Sequence, residues 1–376
     1  MYLQLRHFKT ISVIILSFLV FLFVNPVYAG FGDHDKSDKG HHSGEQHGHK
    51  FSRLLQKIED LEARVDQLEQ GAGGPQTIAV DCAAGETVSD ALASVANSST
   101  PVTIALSGVC VENVEIHRDN VTLQGGSTAD GIEAGDPAKN ALLIIDGVAN
   151  IKLYDLSLSG GVNALVVAES SAVFASGLNI SSASTAGLSC LDASSCMLYD
   201  VAFQDNPFGV LAYGGSAVTF VGGSITNTAI QFPPALNIGA IASSSSTITF
   251  ASVLPGDPHV LPPPAISNSF FGIYASGGTV FLNAGVVENT ITGIVIEAGG
   301  SLKREPQAGI ATIQNNNQGI FLSNMGILQS TAPQPLNINN NSLLGINCDA
   351  SADNFEYLVL DAVFSGNGTD KAATCP

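Results

Sequence analysis

Tryptophan is absent from this sequence, and basic residues are scarce. The 14 Lys and Arg residues are outnumbered by 33 Asp and Glu residues, which leaves a formal net charge of −19. From residue 77 onward there are 24 acidic and 6 basic residues, a net charge of −18. Because such a surface repels polyanions, we expect no nucleic-acid partner.

Long apolar runs are also lacking, since a membrane-spanning helix needs about 20 apolar residues and no segment reaches that length. The longest run, residues 11–24, follows the basic residues Arg6 and Lys9 and precedes the small residue Ala29. This order is typical of a cleaved signal peptide. The sequence therefore predicts a signal peptide over residues 1–29. The mature protein should be exported to the periplasm or the extracellular space, with no integral membrane span.

All six cysteines lie after the signal segment, and none forms a CxxC pair. An even number of cysteines in an exported chain favours disulfides over zinc binding. Sequence order suggests three local pairs, although six cysteines permit other connectivities. The suggested pairs are Cys82 with Cys110, Cys190 with Cys196, and Cys348 with Cys375.

Residues 30–50 are rich in Gly, Ser, His and charge and show no apolar period. This composition predicts a disordered linker. Imidazole is a good ligand for zinc, copper or nickel, so a loose transition-metal site is the alternative interpretation. Ca²⁺ is the other candidate cofactor, and the sequence suggests no further one. The histidines concerned are His34, His41, His42, His47 and His49.

Residues 51–70 carry an apolar heptad repeat, which predicts a coiled-coil helix. Lys57 and Arg64 at g positions would face Glu62 and Glu69 at e positions of a neighbouring parallel helix. The pattern therefore predicts parallel self-association as a dimer or trimer. A lone amphipathic helix packed on its own domain is the alternative. The heptad residues are Phe51, Leu54, Ile58, Leu61, Val65 and Leu68; residues 71–76 then form a Gly/Pro hinge.

From residue 77 to 376 the chain reads as one repeat domain. Strand ends at Leu158, Ile180, Phe203 and Ile225 are separated by 22, 23 and 22 residues. Short Val/Ile/Leu/Phe runs are split by Gly, Asn and Ser, with no helical period. Such spacing indicates a solenoid of about ten coils built from stacked parallel strands. A small residue opens one strand of each coil: Ala164, Gly187, Gly209, Gly239, Gly272, Gly293, Gly319 and Gly345.

The first and third residues after each opening residue are aliphatic or Cys, as an inward-facing strand surface requires. This phase predicts a filled core. The pairs are Leu165/Val167, Leu188/Cys190, Val210/Ala212, Ala240/Ala242, Ile273/Ala275, Ile294/Ile296, Ile320/Leu322 and Ile346/Cys348.

Asparagines follow the strands at a regular distance, where they would turn the corners and stack by hydrogen bonding. They are Asn206, Asn227, Asn268, Asn289, Asn315, Asn340 and Asn367. Near the start of the domain, residues 87–96 carry apolar side chains at helical spacing. We expect this short helix to cap the first coil, whose strand edge would otherwise be open to pairing.

The segments CAAGETVSDALA, VTIALSGVCVENVEIHRDNVTLQGG and IIDGVANIKLYDLSLSGG, together with the Gly-Ile repeats, carry a family resemblance. They resemble bacterial proteins of the pectin-lyase-like superfamily over roughly residues 77–370. The resemblance implies an all-β fold, a single-stranded right-handed parallel β-helix. Its members include lyases, hydrolases, epimerases, tailspikes and non-catalytic adhesins, so it does not select an activity.

The resemblance directs attention to several catalytic candidates. Mannuronan epimerases of this fold carry a YGxDPH motif, which Asp257 and His259 match only in part. Asp155 and Asp200 would occupy equivalent corners two coils apart, about 10 Å, where a carboxylate pair could act. The repeated LYD context instead favours two structural turns. Lyases of the fold use a basic residue beside calcium ligands; here Lys303 and Arg304 are expected on a solvated loop.

The second residue after each opening residue should point outward, and most of these residues are apolar. An exposed apolar stripe usually marks a partner surface. Cover by loops such as QFPPALN or LPGDPHVLPPP, cross-strand packing, and a glycan platform are the alternatives. The predicted binding residues are Leu211, Tyr213, Ile241, Tyr274, Val295 and Phe321.

These observations favour an exported, oligomeric β-helix that acts as a non-catalytic adhesion or binding module for a glycan, an envelope component or a protein. The alternative is a polysaccharide lyase or C5-epimerase acting on uronate polymers.

Overall fold

A computed structural model describes residues 75–226, 237–252, 261–305, 309–330, 332–349, 356–359 and 362–375. All of these belong to the second of the chain's two units, Leu68–Pro376. The signal peptide, the His-rich linker, the coiled-coil helix and most of the hinge lie outside the described residues, and so do Asn227, Asp257 and His259. Those predictions stay predictions.

Short strands dominate the described chain because runs of Val, Ile, Leu and Phe alternate with turn residues. One 3₁₀ turn, Cys82–Ala84, and one helix, α1 (Val88–Ser94), lie between the first two strands. In chain order the strands are β1 (Gln76–Asp81), β2 (Val102–Ser107), β3 (Val109–Val111), β4 (Val114–Ile116), β5 (Val121–Gly125), β6 (Gly131–Glu133), β7 (Leu142–Ile144), β8 (Ile151–Tyr154), β9 (Ser157–Ser159), β10 (Asn163–Val167), β11 (Ala172–Ser176), β12 (Asn179–Ser181), β13 (Ala186–Cys190), β14 (Ser195–Tyr199), β15 (Ala202–Gln204), β16 (Phe208–Ala212), β17 (Ala217–Val221), β18 (Ser224–Thr226), β19 (Ile238–Ser243), β20 (Thr247–Ala251), β21 (Ala265–Ser267), β22 (Phe271–Ser276), β23 (Thr279–Leu282), β24 (Gly285–Glu288), β25 (Thr292–Glu297), β26 (Ser301–Arg304), β27 (Ala311–Gln314), β28 (Gln318–Leu322), β29 (Ile327–Ser330), β30 (Leu336–Asn339), β31 (Leu344–Cys348), β32 (Glu356–Val359), β33 (Ala362–Ser365) and β34 (Thr369–Lys371).

These strands stack into three parallel sheets that wind as a right-handed β-helix. Sheet A holds β1 and then every third strand from β2 to β32. Sheet B runs from β3 to β33 and sheet C from β4 to β34, also in steps of three. After β1 the chain therefore completes eleven three-strand coils. The predicted solenoid fold is confirmed.

The core is a dry stack of aliphatic side chains, as the phase of the repeat predicted. All sixteen predicted inward residues of sheet C are buried. Ile294, Ile320 and Ile346 lie directly above one another in register. Because the interior is filled by these side chains, the β-helix encloses a packed core rather than a channel.

The column of opening glycines in sheet C exists because there is no room for a Cβ atom. A Cβ on Gly272 would lie 2.5 Å from the carbonyl oxygen of Gly293 and 2.4 Å from Cγ1 of Val287. A Cβ on Gly293 would meet the carbonyl oxygen of Gly319 at 2.6 Å. Glycine is thus required at these positions because the coils pack closely, and not because the backbone adopts an unusual conformation.

Two sets of asparagines shape the corner between sheets B and C. Asn268, Asn289, Asn315 and Asn340 adopt left-handed backbone conformations with φ between 53° and 57°. The residues that follow Asn315 and Asn340, Asn316 and Asn341, turn inward and form a buried ladder that continues to Asn367. The sequence analysis expected the same asparagines to turn the corner and to stack. In the structure Asn315 and Asn340 turn the corner, while the residues that follow them stack.

The predicted capping helix is present as α1. Thr87 caps its first turn by accepting a hydrogen bond from the Asp90 N–H at 3.0 Å. The carboxylate of Glu112, from the turn between β3 and β4, accepts bonds from the Val88 and Ser89 N–H groups at 2.7 and 3.1 Å. The carboxylate complements the positive end of the helix dipole and fixes α1 to the first coil.

All three predicted disulfide pairs are present. Cys82–Cys110 joins the 3₁₀ turn to β3, and Cys190–Cys196 joins β13 to β14 across the bend between them. Cys348–Cys375 holds the last described residues against β31. The described part of the chain contains no free cysteine. Disulfides of this kind are typical of proteins outside the reducing cytoplasm.

Candidate functional site

The outward surface of sheet C carries one continuous column of side chains, which we call the outer ladder. Strand pairing is in register over ten successive strands, so each member lies beside the equivalent residue of the next coil. The predicted stripe is therefore a physical column. Its members are Glu115, Leu143, Val166, Ser189, Leu211, Ile241, Tyr274, Val295, Phe321 and Asn347.

A second outward column runs beside the ladder, three residues earlier on each strand. On β16, β19 and β22 it contributes Phe208, Ile238 and Phe271, which pair in register. On these same strands the outer ladder contributes Leu211, Ile241 and Tyr274. The two columns together form the apolar patch, which we define as Phe208, Leu211, Ile238, Ile241, Phe271 and Tyr274. Ile238 is only 6% exposed, whereas the other five side chains are half-buried. Sequence analysis found one column of this patch but missed the other.

Exposure differs along the ladder. Leu211, Ile241, Tyr274 and Phe321 are half-buried, and Tyr213, the residue after β16, is 49% exposed. Val295 is only 3% exposed, because it lies between two larger aromatic residues of the ladder. Val295 therefore contributes no accessible contact area, unlike the other predicted binding residues.

Aromatic rings cluster at one edge of the patch, on and beside β22. Phe271 and Tyr274 lie nearly parallel, with centroids 6.1 Å apart and 15° between planes, and Phe270 meets Phe271 edge to face at 4.7 Å. The Tyr274 hydroxyl donates a hydrogen bond to Glu297 on the next strand. Burial of the phenol, followed by this bond to a carboxylate, raises the pKa of Tyr274 to about 12. Tyr274 is thus a neutral donor at any physiological pH.

From β10 to β31 neither outward column contains a charged side chain. The domain around them carries a net charge of −18. Glu297, at the border, is engaged by Tyr274. Depletion of charge at the centre of a patch, with aromatic enrichment, is the composition of a protein interface core. The arrangement favours contact with a macromolecule.

The structure places Asp155 and Asp200 as repeated turn residues. Both have left-handed backbones at the corner between sheets A and B, with φ of 49° and 53°. Their N–H groups donate to the carbonyl oxygens of Ser176 and Val221 on the next coil. Gly177 occupies the same corner of the coil between them. This geometry explains both aspartates structurally, as the repeated LYD context indicated.

The prediction that Lys303 and Arg304 lie on a solvated loop is wrong. Both belong to β26, and Arg304 is 4% exposed. Its guanidinium donates to the carbonyl oxygens of Leu282, Gln334 and Gly309, so it satisfies the backbone of neighbouring coils. The sequence KREPQAG looked like an insertion because its apolar pattern is interrupted by a buried arginine.

One cluster escaped the sequence analysis. On the outward side of β4 and just beyond it, His117 lies between two carboxylates: Nδ1 is 2.7 Å from Asp146 and Nε2 is 3.1 Å from Glu115. These hydrogen bonds raise the pKa of His117 above its ordinary value. A cavity of about 440 Å³ separates the cluster from α1. The alternation Glu-x-His on a predicted strand was the signal available for it.

Within the described ranges, no three His, Cys, Asp or Glu side chains are grouped so that they could hold a metal ion. The five linker histidines lie outside those ranges. No helix in the described part of the chain is long and apolar enough to cross a lipid bilayer.

Comparison with known proteins gives similar structures but no relatives by sequence. No family model matches the chain, and no curated protein does. One similar structure is the Dettilon tailspike protein gp208, at 12% identity and a TM-score of 0.45 over 72% of this chain. The match covers 64% of the tailspike chain, which is less than two thirds of its length.

Two further similar structures carry enzyme names. The A-module of the Azotobacter vinelandii mannuronan C-5 epimerase AlgE6 is 12% identical with a TM-score of 0.33, over 76% of this chain and 94% of that one. The catalytic unit of a thermostable GH87 α-1,3-glucanase from Streptomyces thermodiastaticus strain HF3-3 is 13% identical with a TM-score of 0.32, over 79% and 69%. At these values no activity, substrate or residue role is carried over to this chain.

Proposed function

We propose that this chain is an exported, oligomeric β-helix that acts as a non-catalytic binding module. The outward surface of sheet C is its contact surface, and its partner is a glycan, an envelope component or a protein. The observation that supports this proposal above all is the apolar patch, with six aliphatic and aromatic side chains in register on three strands and no charge among them.

The surrounding chemistry supports a binding role. The aspartates at the corner of sheets A and B turn the chain, and Arg304 bonds to backbone carbonyls. The three disulfides support export, because such bonds persist in oxidising compartments. A flat, rigid sheet surface suits contact with an extended partner, since its side chains are held by the packing of the coils below them.

The test compares the wild-type mature protein with the Leu211→Asp/Ile241→Asp variant and with a matched Thr219→Asp control. Thr219 lies on β17 of the same coil as Ile241, is half-buried and faces outward from sheet A. Binding to alginate, pectin, heparan sulfate and an envelope fraction is measured, and so is self-association by light scattering. At least one of these associations should weaken tenfold or more in the double variant and not in the control. If none weakens, sheet C is not the contact surface.

The enzyme alternative has its own test. The protein is incubated with the same polysaccharides and Ca²⁺, and the ultraviolet absorbance of unsaturated uronate ends is followed. NMR spectra of alginate before and after incubation report epimerisation. Turnover that is abolished by Asp257→Ala would replace the binding proposal with the lyase or epimerase alternative.

A further inference from the structure

The chemistry of the apolar patch limits what can cover it. Leu211, Ile238 and Ile241 are aliphatic, and their side chains offer no hydrogen bonds. A sugar laid over them would lose water from its hydroxyl groups without regaining hydrogen bonds, which costs free energy. An apolar protein surface has no such hydroxyl groups and does not incur this cost. The centre of the patch therefore fits a protein surface of the same character better than a glycan.

Charge points to the same occupant. Two copies of a domain with a net charge of −18 repel each other over most of their surfaces. The apolar patch carries no charged side chain, so contact between two copies there meets the least local repulsion. Its aromatic side chains match the composition of interface cores.

The heptads predicted before the described residues would bring copies of the chain together. The heptads of residues 51–70 predict parallel helices, and β1 begins at Gln76. The intervening residues 71–75 reach at most about 17 Å when fully extended. Copies joined by such helices would have their first coils within this reach of the helix ends, so equivalent coils of two copies could meet. Tethering also raises the effective concentration of one patch for another, so a small patch is sufficient.

We propose that the apolar patch is a self-association surface, covered by a second copy of this chain lying parallel, with each coil against the same coil. The inference rests on the proposed function and names the partner at its contact surface. In this assembly a patch residue such as Ile241 lies near Ile241 of the second copy, because parallel copies in equal register bring identical positions together.

Site-directed crosslinking tests the register. Ile241→Cys and Thr219→Cys variants of the full mature chain are oxidised under identical conditions, and covalent dimers are counted on non-reducing gels. The Ile241→Cys variant should form dimers at least ten times faster than Thr219→Cys. Equal rates, or faster crosslinking at position 219, would overturn the proposal.

Charge insertion tests the energetics and separates the two proposals. Ile241→Asp should raise the concentration at which the oligomer dissociates by at least tenfold, while Thr219→Asp should leave it unchanged; circular dichroism verifies the fold of both variants. If Ile241→Asp spares self-association but reduces glycan or envelope binding, the second copy is the wrong occupant and the proposed function stands. If it alters neither association, as expected for a patch covered by its own chain, both proposals are wrong.

Discussion

At the residue scale, the β-helix depends on positions where very little space is available. Each opening glycine of sheet C from Gly187 to Gly319 lies against the carbonyl oxygen of the next glycine in the column, and Gly345 lies against that of Asp370. Each asparagine of the buried ladder forms a hydrogen bond with a backbone carbonyl oxygen; the members are Asn316, Asn341 and Asn367. Such positions tolerate few substitutions, because a tightly stacked coil cannot move away from its neighbours without disturbing the whole stack.

Gly272→Ala should therefore lower the free energy of unfolding by about 1–3 kcal/mol, the usual cost of overpacking. Gly309→Ala is the matched control, because a Cβ there would meet its nearest atom at an ordinary 3.6 Å. Urea unfolding followed by circular dichroism measures both. Equal midpoints for the two variants would show that the Gly column can expand.

Asn341→Ala should also be destabilising. The Asn341 Oδ1 accepts hydrogen bonds from the Asn316 backbone N–H at 3.2 Å and from the Asn316 Nδ2 at 3.1 Å, both in the interior. Loss of this acceptor leaves buried donors unsatisfied, at about 1–3 kcal/mol for each group. Asn337→Ala, on the outward surface of β30, is the control for loss of an amide. Urea unfolding measures both variants, and an equal loss of stability in Asn337→Ala and Asn341→Ala would contradict the prediction.

At the element scale, the first coil is held by contacts that the later coils do not share. Glu112 fixes the start of α1, and Cys82–Cys110 joins the preceding 3₁₀ turn to β3. His117 links β4 to the turn after β7 through its two carboxylate partners. Both of its ring nitrogens face carboxylates, an arrangement that only the imidazolium form satisfies with two donors.

The His117 contacts should make the first coils slightly more stable in acid. Since the folded pKa is raised above the ordinary 6.5, the stabilisation is fully present below pH 6.5 and is lost as the pH rises through the folded pKa. The gain stays below about 1 kcal/mol, because His117 is 47% exposed and water screens the pairs. NMR titration should show a pKa above 6.5 that falls in Asp146→Asn. An unchanged pKa in that variant would contradict the assignment.

The disulfides should differ in their effect on stability. In the chain-entropy account, a crosslink stabilises more when it closes a longer loop. Cys82–Cys110 spans 28 residues and Cys190–Cys196 spans 6. Replacing both cysteines by alanine should cost about 3–4 kcal/mol for the first pair and about 2 kcal/mol for the second. The ranking is read from urea midpoints under oxidising conditions, and the reverse order would show that loop entropy does not dominate.

At the scale of the whole molecule, the predicted coiled coil would add self-association to the β-helix. Fewer than three heptads make a marginal coiled coil, so the helix and the apolar patch should depend on each other. Tethering would raise the effective concentration of the patches, and contact between the patches would in turn keep the helices paired.

Removal of residues 51–70 should therefore reduce the mass measured by light scattering to that of one chain, while the circular dichroism of the β-helix stays the same. The control is a chain of full length in which Lys57 and Arg64 are exchanged for Glu, which keeps the length but opposes like charges at the g and e positions. A single-chain mass for the unaltered mature protein would contradict the oligomer prediction.

The local features of the fold were predictable because they depend on side-chain period. Alternation of apolar residues placed the sixteen core side chains of sheet C, and the spacing of Gly and Asn placed the corners. The cap helix and the disulfide pairs followed from short-range patterns. Arg304 was misassigned because a buried guanidinium bonded to carbonyls has no signature in the chain order. Phe208, Ile238 and Phe271 were missed as a column because each precedes an opening glycine, where strict alternation along the strand predicts an inward side chain.

The sequence by itself thus determined that this chain coils, how long one coil is, and which side chains fill it, since these properties arise from periodicity along the chain. Only the tertiary structure decided which outward residues meet one another, which of them solvent reaches, and that two columns merge into one uncharged patch. These properties depend on register between residues more than twenty positions apart, and the register is set by the stacking of the coils.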